Sequence, residues 1–304
     1  MKIAVLVYAN QDVGLGHWNR SRALIDELER RGHYVWTLGN MMTHRKMYYQ
    51  VREGSRIDLY HVIEQLKPDV LIADLQGEIP EYIYELVDPE RLVVLNGVGR
   101  ETETRAGMVF IQGLVDVNEN KNVFSGIDYI ILRPELQQWI AGPEKEWFVF
   151  GGAKDKMHLS PAFQEVFPET SANILMTNMS VSLNNTYRTM YHDIFIPSSP
   201  DKQIDTFRQA VAGVEKACLA MGMTAWETVA LGIPTYVFSS TSGHLSFAKK
   251  MEDAGILRAY DGVGIPHHTT LVKEFLDQKP MQSKLRPDFM GASRVADKLE
   301  ERYG

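Results

Sequence analysis

The sequence has a single cysteine, Cys218, among its 304 residues. One cysteine excludes an internal disulfide and a cysteine-cluster metal site. A chain without disulfides is typical of a reducing compartment, so we expect a cytoplasmic protein. Long hydrophobic runs are also missing, and we expect no membrane span. The apolar stretch 3–8 near the start is far shorter than the ~18 residues that a membrane-spanning helix needs.

Positive charge is in deficit. Lys and Arg number 32 against 39 Asp and Glu, which gives a formal net charge of −7. An acidic chain is poorly suited to general binding of nucleic acid or anionic membranes. Several catalytic signatures are absent as well: a Walker phosphate loop, a metalloprotease helix, a nucleophile elbow and an Asp-x-Asp metal site. The corresponding classes of enzyme are disfavoured.

The sequence does contain short apolar runs that alternate with helical patterns. The runs lack polar–apolar alternation, which is typical of strands in a parallel sheet covered on both faces. Strands are predicted at 3–8, 34–38, 69–73, 91–95, 108–111, 129–132, 147–150, 173–176, 193–196, 216–220 and 234–238, and helices at 17–31, 79–87, 203–214, 224–231 and 294–303. This order predicts an α/β fold with two Rossmann-like domains, 1–140 and 141–304.

A glycine-containing loop follows the first predicted strand. Gly14 and Gly16 allow close approach of a ligand, and the helix that follows favours an anion at its N-terminus. The third glycine of the dinucleotide fingerprint is replaced by Asn19, and no acid follows the second strand, so NAD and FAD are disfavoured. His17 lies at the carboxyl end of the first strand, where it is either a catalytic residue or a helix cap.

Two turns of the second half are candidates for nucleotide binding. Gly151 and Gly152 follow the strand 147–150 in a phosphate-type turn. The second turn precedes a helix whose N–H groups suit a diphosphate, and Glu227 lies one helical turn further on. Glu227 either accepts hydrogen bonds from a ribose diol or is an acid favoured by the helix dipole. The candidate nucleotide-sugar ligands in this half are Gly151, Gly152, Ile196, Gly222, Met223, Thr224 and Glu227.

The segment 44–56 is basic in an acidic chain. It contains four basic residues, Arg45, Lys46, Arg52 and Arg56, against one acid, with two tyrosines between them. Such a segment either forms a solvated helix face or binds a phosphate backbone or another anionic acceptor.

Taken together, the motifs resemble those of a known enzyme family. They are the G-x-G-H-x-x-R pattern at 14–20, the strand at 68–74, the stretch 125–135, the glycines at 151–152, and the segments 222–227 and 231–234. Their order resembles the UDP-sugar hydrolase of pseudaminic acid biosynthesis and its relatives in spore-coat polysaccharide synthesis. The resemblance implies the GT-B architecture of two facing Rossmann-like domains, related to the glycosyltransferase that makes the peptidoglycan lipid precursor.

The resemblance also implies roles for individual residues. His17 matches the catalytic base of that family, Glu227 matches its ribose ligand, and Gly222, Met223 and Thr224 match the turn that holds the diphosphate. Two positions depart from the family pattern. Asn96-Gly97 replaces an Asp-Asp pair, and Gly243-His244 replaces an Asn-Gln pair. His244 is therefore expected either to contact the donor sugar or phosphate or to act as a second acid or base.

Three functions are compatible with these residues. The first is a metal-independent glycosyltransferase with a UDP-sugar donor as co-substrate, no further cofactor and His17 as the general base. The second is a UDP-sugar hydrolase in which the same histidine activates water. The third is a non-catalytic protein that binds sugar nucleotides. For the transferase we expect Asp74, Arg45, Lys46, Arg52 and Arg56 to contact the acceptor, which is a glycan, a lipid-linked sugar or modified DNA.

Overall fold

The chain forms two compact units. A computed structural model describes residues 1–8, 16–40, 48–75, 77–96, 105–114, 122–138, 142, 144–152, 155–176, 192–197, 202–262 and 269–304. One unit comprises Met1–Arg133 with Pro287–Gly304, and the other comprises Pro134–Arg286. Each contains one parallel sheet, which confirms the predicted fold class. Within the described ranges, no helix is long and apolar enough to cross a membrane.

The first unit contains a seven-stranded parallel sheet in the order β3-β2-β1-β4-β5-β6-β7. Its strands are β1 (Lys2–Val7), β2 (Tyr34–Gly39), β3 (Tyr48–Gln50), β4 (Val70–Asp74), β5 (Leu92–Asn96), β6 (Met108–Ile111) and β7 (Val123–Phe124), and its first helices are α1 (Gly16–Arg30), α2 (Arg56–Leu66) and α3 (Glu81–Leu86). The crossover pattern is that of a doubly wound sheet.

The central strand β1 has a core on each face. Ile3 and Val5 pack with Leu24 of α1, whereas Ala4 and Leu6 belong to the core on the opposite face. A strand buried on both faces needs apolar residues at its buried positions, which explains the unbroken apolar sequence of β1 from Ile3 to Val7.

The second unit contains a six-stranded parallel sheet in the order β10-β9-β8-β11-β12-β13. Its strands are β8 (Lys145–Phe150), β9 (Ala172–Leu175), β10 (His192–Phe195), β11 (Val214–Ala220), β12 (Thr235–Ser239) and β13 (Arg258–Asp261). Its helices are α4 (Leu159–Val166), α5 (Gln203–Val211), α6 (Met223–Ala230), α7 (Ser242–Asp253) and α8 (Thr269–Leu276). The helix α9 (Gly291–Tyr303) comes last in the chain.

The helix α9 belongs to the first unit, although the predicted division placed all of 141–304 in the second domain. Val295, Ala296 and Leu299 lie in the same core as Leu28 of α1. Arg31 donates to Asp297 at 2.7 Å and to Glu300 at 2.8 Å, which fixes the helix against the end of α1. The apolar stripe of α9 is buried only because the chain returns to the first sheet.

One strand prediction is wrong. Residues 129–132 do not form a strand: a short 3-10 helix covers Ile127–Tyr129, and irregular buried chain follows. The Gln112 side chain donates to the carbonyl of Tyr129 at 2.9 Å and accepts from the N–H of Ile131 at 2.8 Å, so it satisfies backbone groups that a neighbouring strand would otherwise pair.

The segment 44–56, for which a solvated helix face was one of two interpretations, is described from residue 48 onward. The described part of this segment forms the short strand β3, followed by a turn that ends at Ser55, the N-cap of α2. The Ser55 hydroxyl accepts from the N–H of Asp58 at 3.3 Å. The described residues 48–56 therefore comprise a strand, a turn and the first residue of a helix.

Candidate active site

The first unit brings His17, Arg20 and Asp74 together. Asp74 ends β4 and pairs in register with Val7, the last residue of the neighbouring strand β1. The helix α1 begins at Gly16, so His17 and Arg20 lie on its first turn at the i, i+3 spacing that places two side chains on one face. Parallel neighbours end at the same edge of a sheet, where such folds bind ligands.

The Asp74 carboxylate accepts four hydrogen bonds. His17 Nδ1 lies 2.6 Å from Oδ1, which also accepts from Arg20 Nη2. Arg20 Nε and the Ser21 hydroxyl each donate to Oδ2 at 2.8 Å. Four donors fill the lone-pair positions of both oxygens, and the two-pronged arginine contact fixes the plane of the carboxylate.

The Asp74 side chain is 0% exposed. Burial by itself would raise the pKa of Asp74, but the positive charge of Arg20 and the hydrogen bonds from Arg20 and His17 hold that pKa well below its usual range. Both oxygens are occupied inside the protein, and one of them holds His17 Nδ1. The predicted contact of Asp74 with an acceptor stays a prediction.

His17 is arranged as a proton acceptor. Only 17% of its side chain is exposed. When Nδ1 donates to Asp74, the lone pair of a neutral imidazole is on Nε2, and no described residue makes a hydrogen bond to that atom. A histidine held in this way can accept a proton from a hydroxyl or from water, so the predicted role as a base is chemically feasible.

In the second unit, the helix α6 begins without a capping side chain. Gly222 precedes it in an extended conformation, and a Cβ at this position would meet no atom within 4 Å. The N–H groups of Met223 and Thr224 have no partner inside the helix because they belong to its first turn. The predicted diphosphate turn is therefore open to an anion in the described structure. Glu227, 3% exposed, lies one turn further on.

The glycines after β8 have a structural explanation instead. A Cβ on Gly151 would lie 1.9 Å from Oδ1 of Asp155, and Gly152 has φ of +87°. The Asp155 carboxylate accepts from the N–H groups of Leu159 at 2.7 Å and Ser160 at 2.9 Å. The start of α4 is thus already capped by a buried acid, and the predicted phosphate contact at Gly151 and Gly152 stays a prediction.

Three polar atoms in α6 or in neighbouring elements are buried with no hydrogen-bond partner among the described residues. They are Ser239 Oγ, Trp226 Nε1 and His244 Nδ1. Trp226 packs against Phe247 of α7 with ring centroids 6.1 Å apart, and His244 precedes Phe247 by three residues. Ser239 shares a strand face with Thr235, whose hydroxyl is 2.9 Å from that of Thr228 in α6.

Buried polar atoms without partners are costly, so these three atoms are candidates for hydrogen bonds to a ligand. Burial also lowers the pKa of His244, which favours a neutral imidazole. The sequence identified His244, but Trp226 and Ser239 were missed, because neither residue type is diagnostic of a ligand site. Ile196 follows β10 and is 38% exposed.

The described arginines of the basic segment are paired. Arg52 contacts Asp58 through Nε at 2.7 Å and Nη2 at 2.9 Å, and Arg56 lies 2.9 Å from Glu85. The excess positive charge of 44–56 therefore rests on Arg45 and Lys46, which lie outside the described residues, as does Gly14. Sequence analysis could not anticipate the Arg56 pair, because Glu85 is distant along the chain.

No family model and no curated protein matches this sequence. Solved structures do match over nearly the whole chain. UDP-GlcNAc 2-epimerase of Methanocaldococcus jannaschii, in complex with UDP-GlcNAc and UDP, gives a TM-score of 0.64 at 10% identity, covering 99% of this chain and 100% of that chain. MurG of Acinetobacter baumannii gives 0.56 at 14% identity, with 99% and 100% covered.

The glycotransferase of kitacinnamycin gives a TM-score of 0.66 at 14% identity, with 99% of each chain covered. At these identities the likeness shows the fold, and the predicted hydrolase family stays a prediction. The two parallel sheets with their helices and the matches to epimerases and glycosyltransferases lead to one conclusion: the chain has the GT-B fold.

Proposed function

We propose that the protein is a metal-independent glycosyltransferase that uses a UDP-sugar donor, with His17 as the general base. The observation that carries the proposal is the His17 imidazole, which is hydrogen-bonded through Nδ1 to a buried carboxylate. This arrangement orients a histidine for proton transfer at Nε2. The fold supports the choice of donor, since the similar epimerase structure is a complex with UDP-GlcNAc and UDP.

The donor is assigned to the second unit. The open first turn of α6 at Gly222, Met223 and Thr224 supplies N–H groups for the diphosphate, and Glu227 accepts hydrogen bonds from the ribose. A helix N-terminus favours the charge that develops on the leaving diphosphate, which is why no metal is required. His244, as a neutral imidazole, contacts the donor sugar or a phosphate oxygen, and Ile196 lines the nucleotide.

The reaction transfers one proton and one glycosyl group. His17 Nε2 removes the proton of an acceptor hydroxyl while the oxygen forms a bond to the anomeric carbon. The bond from that carbon to the phosphate oxygen breaks, and its electron pair leaves with UDP. The proposed acceptor classes are a glycan, a lipid-linked sugar and modified DNA, with Arg45 and Lys46 as the candidate contacts.

Hydrolysis of a UDP-sugar is the second candidate. It is favoured by the pairing of Arg52 with Asp58 and of Arg56 with Glu85, which leaves these two arginines less suited to a large anionic acceptor. His17 would then activate water by the same proton transfer. Because a 2-epimerase is among the similar structures, the assay must also detect isomerised nucleotide sugar.

The test is a UDP-release assay on a panel of UDP-sugars, with and without acceptors and with EDTA present. Products are identified by mass spectrometry and chromatography, and His17→Gln is the matched inactive variant. We expect UDP release that requires an acceptor and persists in EDTA. Release without any acceptor identifies a hydrolase, and an isomerised sugar without release identifies an epimerase. Binding of UDP with no reaction identifies a binding protein, and loss of activity in EDTA contradicts metal independence.

A further inference from the structure

A third side chain, that of Arg20, contacts both His17 and Asp74. Arg20 Nη2 lies 2.9 Å from His17 Nδ1, and both nitrogens contact Oδ1 of Asp74. Arg20 is 3% exposed, and Asp74 is 0% exposed. Three polar groups that include one full positive and one full negative charge are thus enclosed together, and their protonation states cannot be independent.

Two arrangements of protons fit these positions. In the first, Nδ1 carries the hydrogen and donates to Asp74, so Nε2 is the free lone pair. In the second, Nδ1 accepts from Arg20 and the hydrogen is on Nε2, which removes the base. The second would place two acceptors, Nδ1 and Oδ1, at 2.6 Å with no hydrogen between them. That contact is repulsive, whereas Arg20 Nη2 retains Asp74 and the Leu95 carbonyl at 3.4 Å as acceptors in the first arrangement.

The charges around His17 decide whether it is neutral. Among the described residues, the charged groups that face it are Arg20 on its own helix and Asp74 on β4. The acids of α9, Asp297 and Glu300, contact Arg31 at the opposite end of α1. An isolated carboxylate beside an imidazole favours imidazolium, which has no free lone pair. Here the Arg20 guanidinium already balances the Asp74 charge through two hydrogen bonds.

We propose that Arg20 is a positioning residue that neutralises Asp74, so that Asp74 orients His17 in the Nδ1–H form without drawing a second proton onto it. The role assigned to the pair rests on the proposed function, because a free Nε2 matters only to a base. The arrangement itself is a property of the folded protein and is measurable without any substrate.

The test is nitrogen NMR of the histidine side chains in the whole protein, with His17→Gln used to assign the His17 signals. In the unaltered protein at neutral pH we expect a protonated Nδ1 and an unprotonated Nε2. In Arg20→Met we expect imidazolium to persist to higher pH, with the titration midpoint of His17 raised by about 1–3 pH units. Arg30→Met, a matched loss of charge on the exposed side of α1, is expected to leave the midpoint unchanged.

Two further variants keep the proposal falsifiable if Arg20→Met does not fold. Arg20→Met combined with Asp74→Asn removes both charges, and we expect a neutral His17 in it. Arg20→Lys keeps the charge, and we expect a midpoint closer to that of the unaltered protein than to that of Arg20→Met. An unprotonated Nδ1 in the unaltered protein, or a midpoint that does not move in Arg20→Met, overturns the proposal. For a folding-deficient Arg20→Met, a charged His17 at neutral pH in the double variant overturns it.

The experiments distinguish failure of the proposed function from failure of the positioning role. Predicted NMR signals without turnover of any UDP-sugar leave the positioning role intact and reject the transferase. If turnover requires His17 but Nδ1 is unprotonated, the proposed function stands and the positioning role of Arg20 is rejected. In an active enzyme, a merely structural Arg20 would lower activity equally at all pH values. The proposed role instead moves the acid limb of the pH–rate profile to higher pH in Arg20→Met.

Discussion

Asp74 is a buried acid that remains ionised because its surroundings supply every hydrogen bond it can accept. Removing a carboxylate from water is costly, and an arginine in bidentate contact is one of the few side chains that offsets the cost. Arg20 and Ser21 provide three of the four donors, so the fourth position is left for His17. At the scale of residues, His17 is thus held by groups that do not themselves take part in the proposed reaction.

The first prediction concerns His17. Its replacement by Gln is expected to lower turnover by about 10²–10⁴-fold, the usual contribution of a general base. UDP affinity should be retained, because the nucleotide is assigned to the second unit. His61→Gln, an exposed histidine on α2, serves as the control and should be fully active. Near-normal turnover in His17→Gln would show that His17 is not the base.

The second prediction concerns Glu227. A hydrogen bond between a hydroxyl and a carboxylate is typically worth ~1.5–3 kcal/mol, so Glu227→Ala should weaken UDP binding by roughly ten- to a hundredfold. Calorimetry with UDP measures the change, and Glu274→Gln on the exposed face of α8 is the matched control. An unchanged affinity in a folded Glu227→Ala protein would remove Glu227 from the nucleotide site.

At the scale of elements, strands buried on both faces are readable in the sequence, whereas elements held by distant partners are not. β1 from Ile3 onward and β4 as far as Ala73 are continuous apolar runs, and both strands are correctly predicted. The helix α2 is missed because two of its large apolar residues, Ile57 and Tyr60, are exposed by 67% and 47%. Its apolar residues therefore do not follow one helix face in the sequence. The chain at 130–132 has the composition of a strand, but the Gln112 side chain supplies its hydrogen bonds.

The site could be predicted in part, because its residues follow strands that the sequence identifies. Strand ends identify His17, Asp74 and the turn at Gly222, since parallel sheets place their loops there. That β4 is the neighbour of β1, and therefore that Asp74 reaches His17, follows only from the strand order. The sequence shows Arg20 three residues after His17, but it does not show that Arg20 pairs with Asp74.

The third prediction separates a glycine required by the fold from one required by a ligand. Gly151→Ala places a methyl group 1.9 Å from the Asp155 carboxylate that caps α4, and we expect a loss of about 1–3 kcal/mol in the free energy of unfolding. At Gly222 a methyl group meets nothing within 4 Å, so Gly222→Ala should change stability by less than about 1 kcal/mol.

Gly222→Ala should nevertheless weaken UDP binding, because the added methyl group enters the space assigned to the diphosphate. Urea denaturation and calorimetry on the same two proteins measure both quantities. A Gly222→Ala protein with normal UDP affinity would indicate that the open end of α6 is not the diphosphate site. A fully stable Gly151→Ala protein would show that Asp155 moves aside without loss.

At the scale of the whole molecule, the chain leaves the first unit at Arg133 and returns to it at Pro287. The return was not predictable, because the amphipathic pattern of α9 specifies that one face is buried without specifying the core that covers it. Gly291 allows the close approach of α9 to this core. A Cβ at position 291 would lie 2.1 Å from the carbonyl oxygen of Ile130, so the helix begins in direct contact with the first unit.

The last prediction follows from the two separate cores. Leu299 is 0% exposed in the core of the first unit, so Leu299→Ala should lower the stability of that unit by about 2–5 kcal/mol. The second unit contains the proposed UDP site, and a ligand at 100 times its Kd stabilises the unit that binds it by about 2.7 kcal/mol. Calorimetric unfolding should therefore show one transition whose temperature is lowered by Leu299→Ala and another whose temperature is raised by UDP.

Glu301→Ala, whose pair with Lys298 is exposed, should leave both transitions near their original temperatures. If Leu299→Ala instead reduces UDP affinity and lowers the UDP-sensitive transition, α9 supports the second unit energetically, and assigning the nucleotide to that unit alone would be wrong.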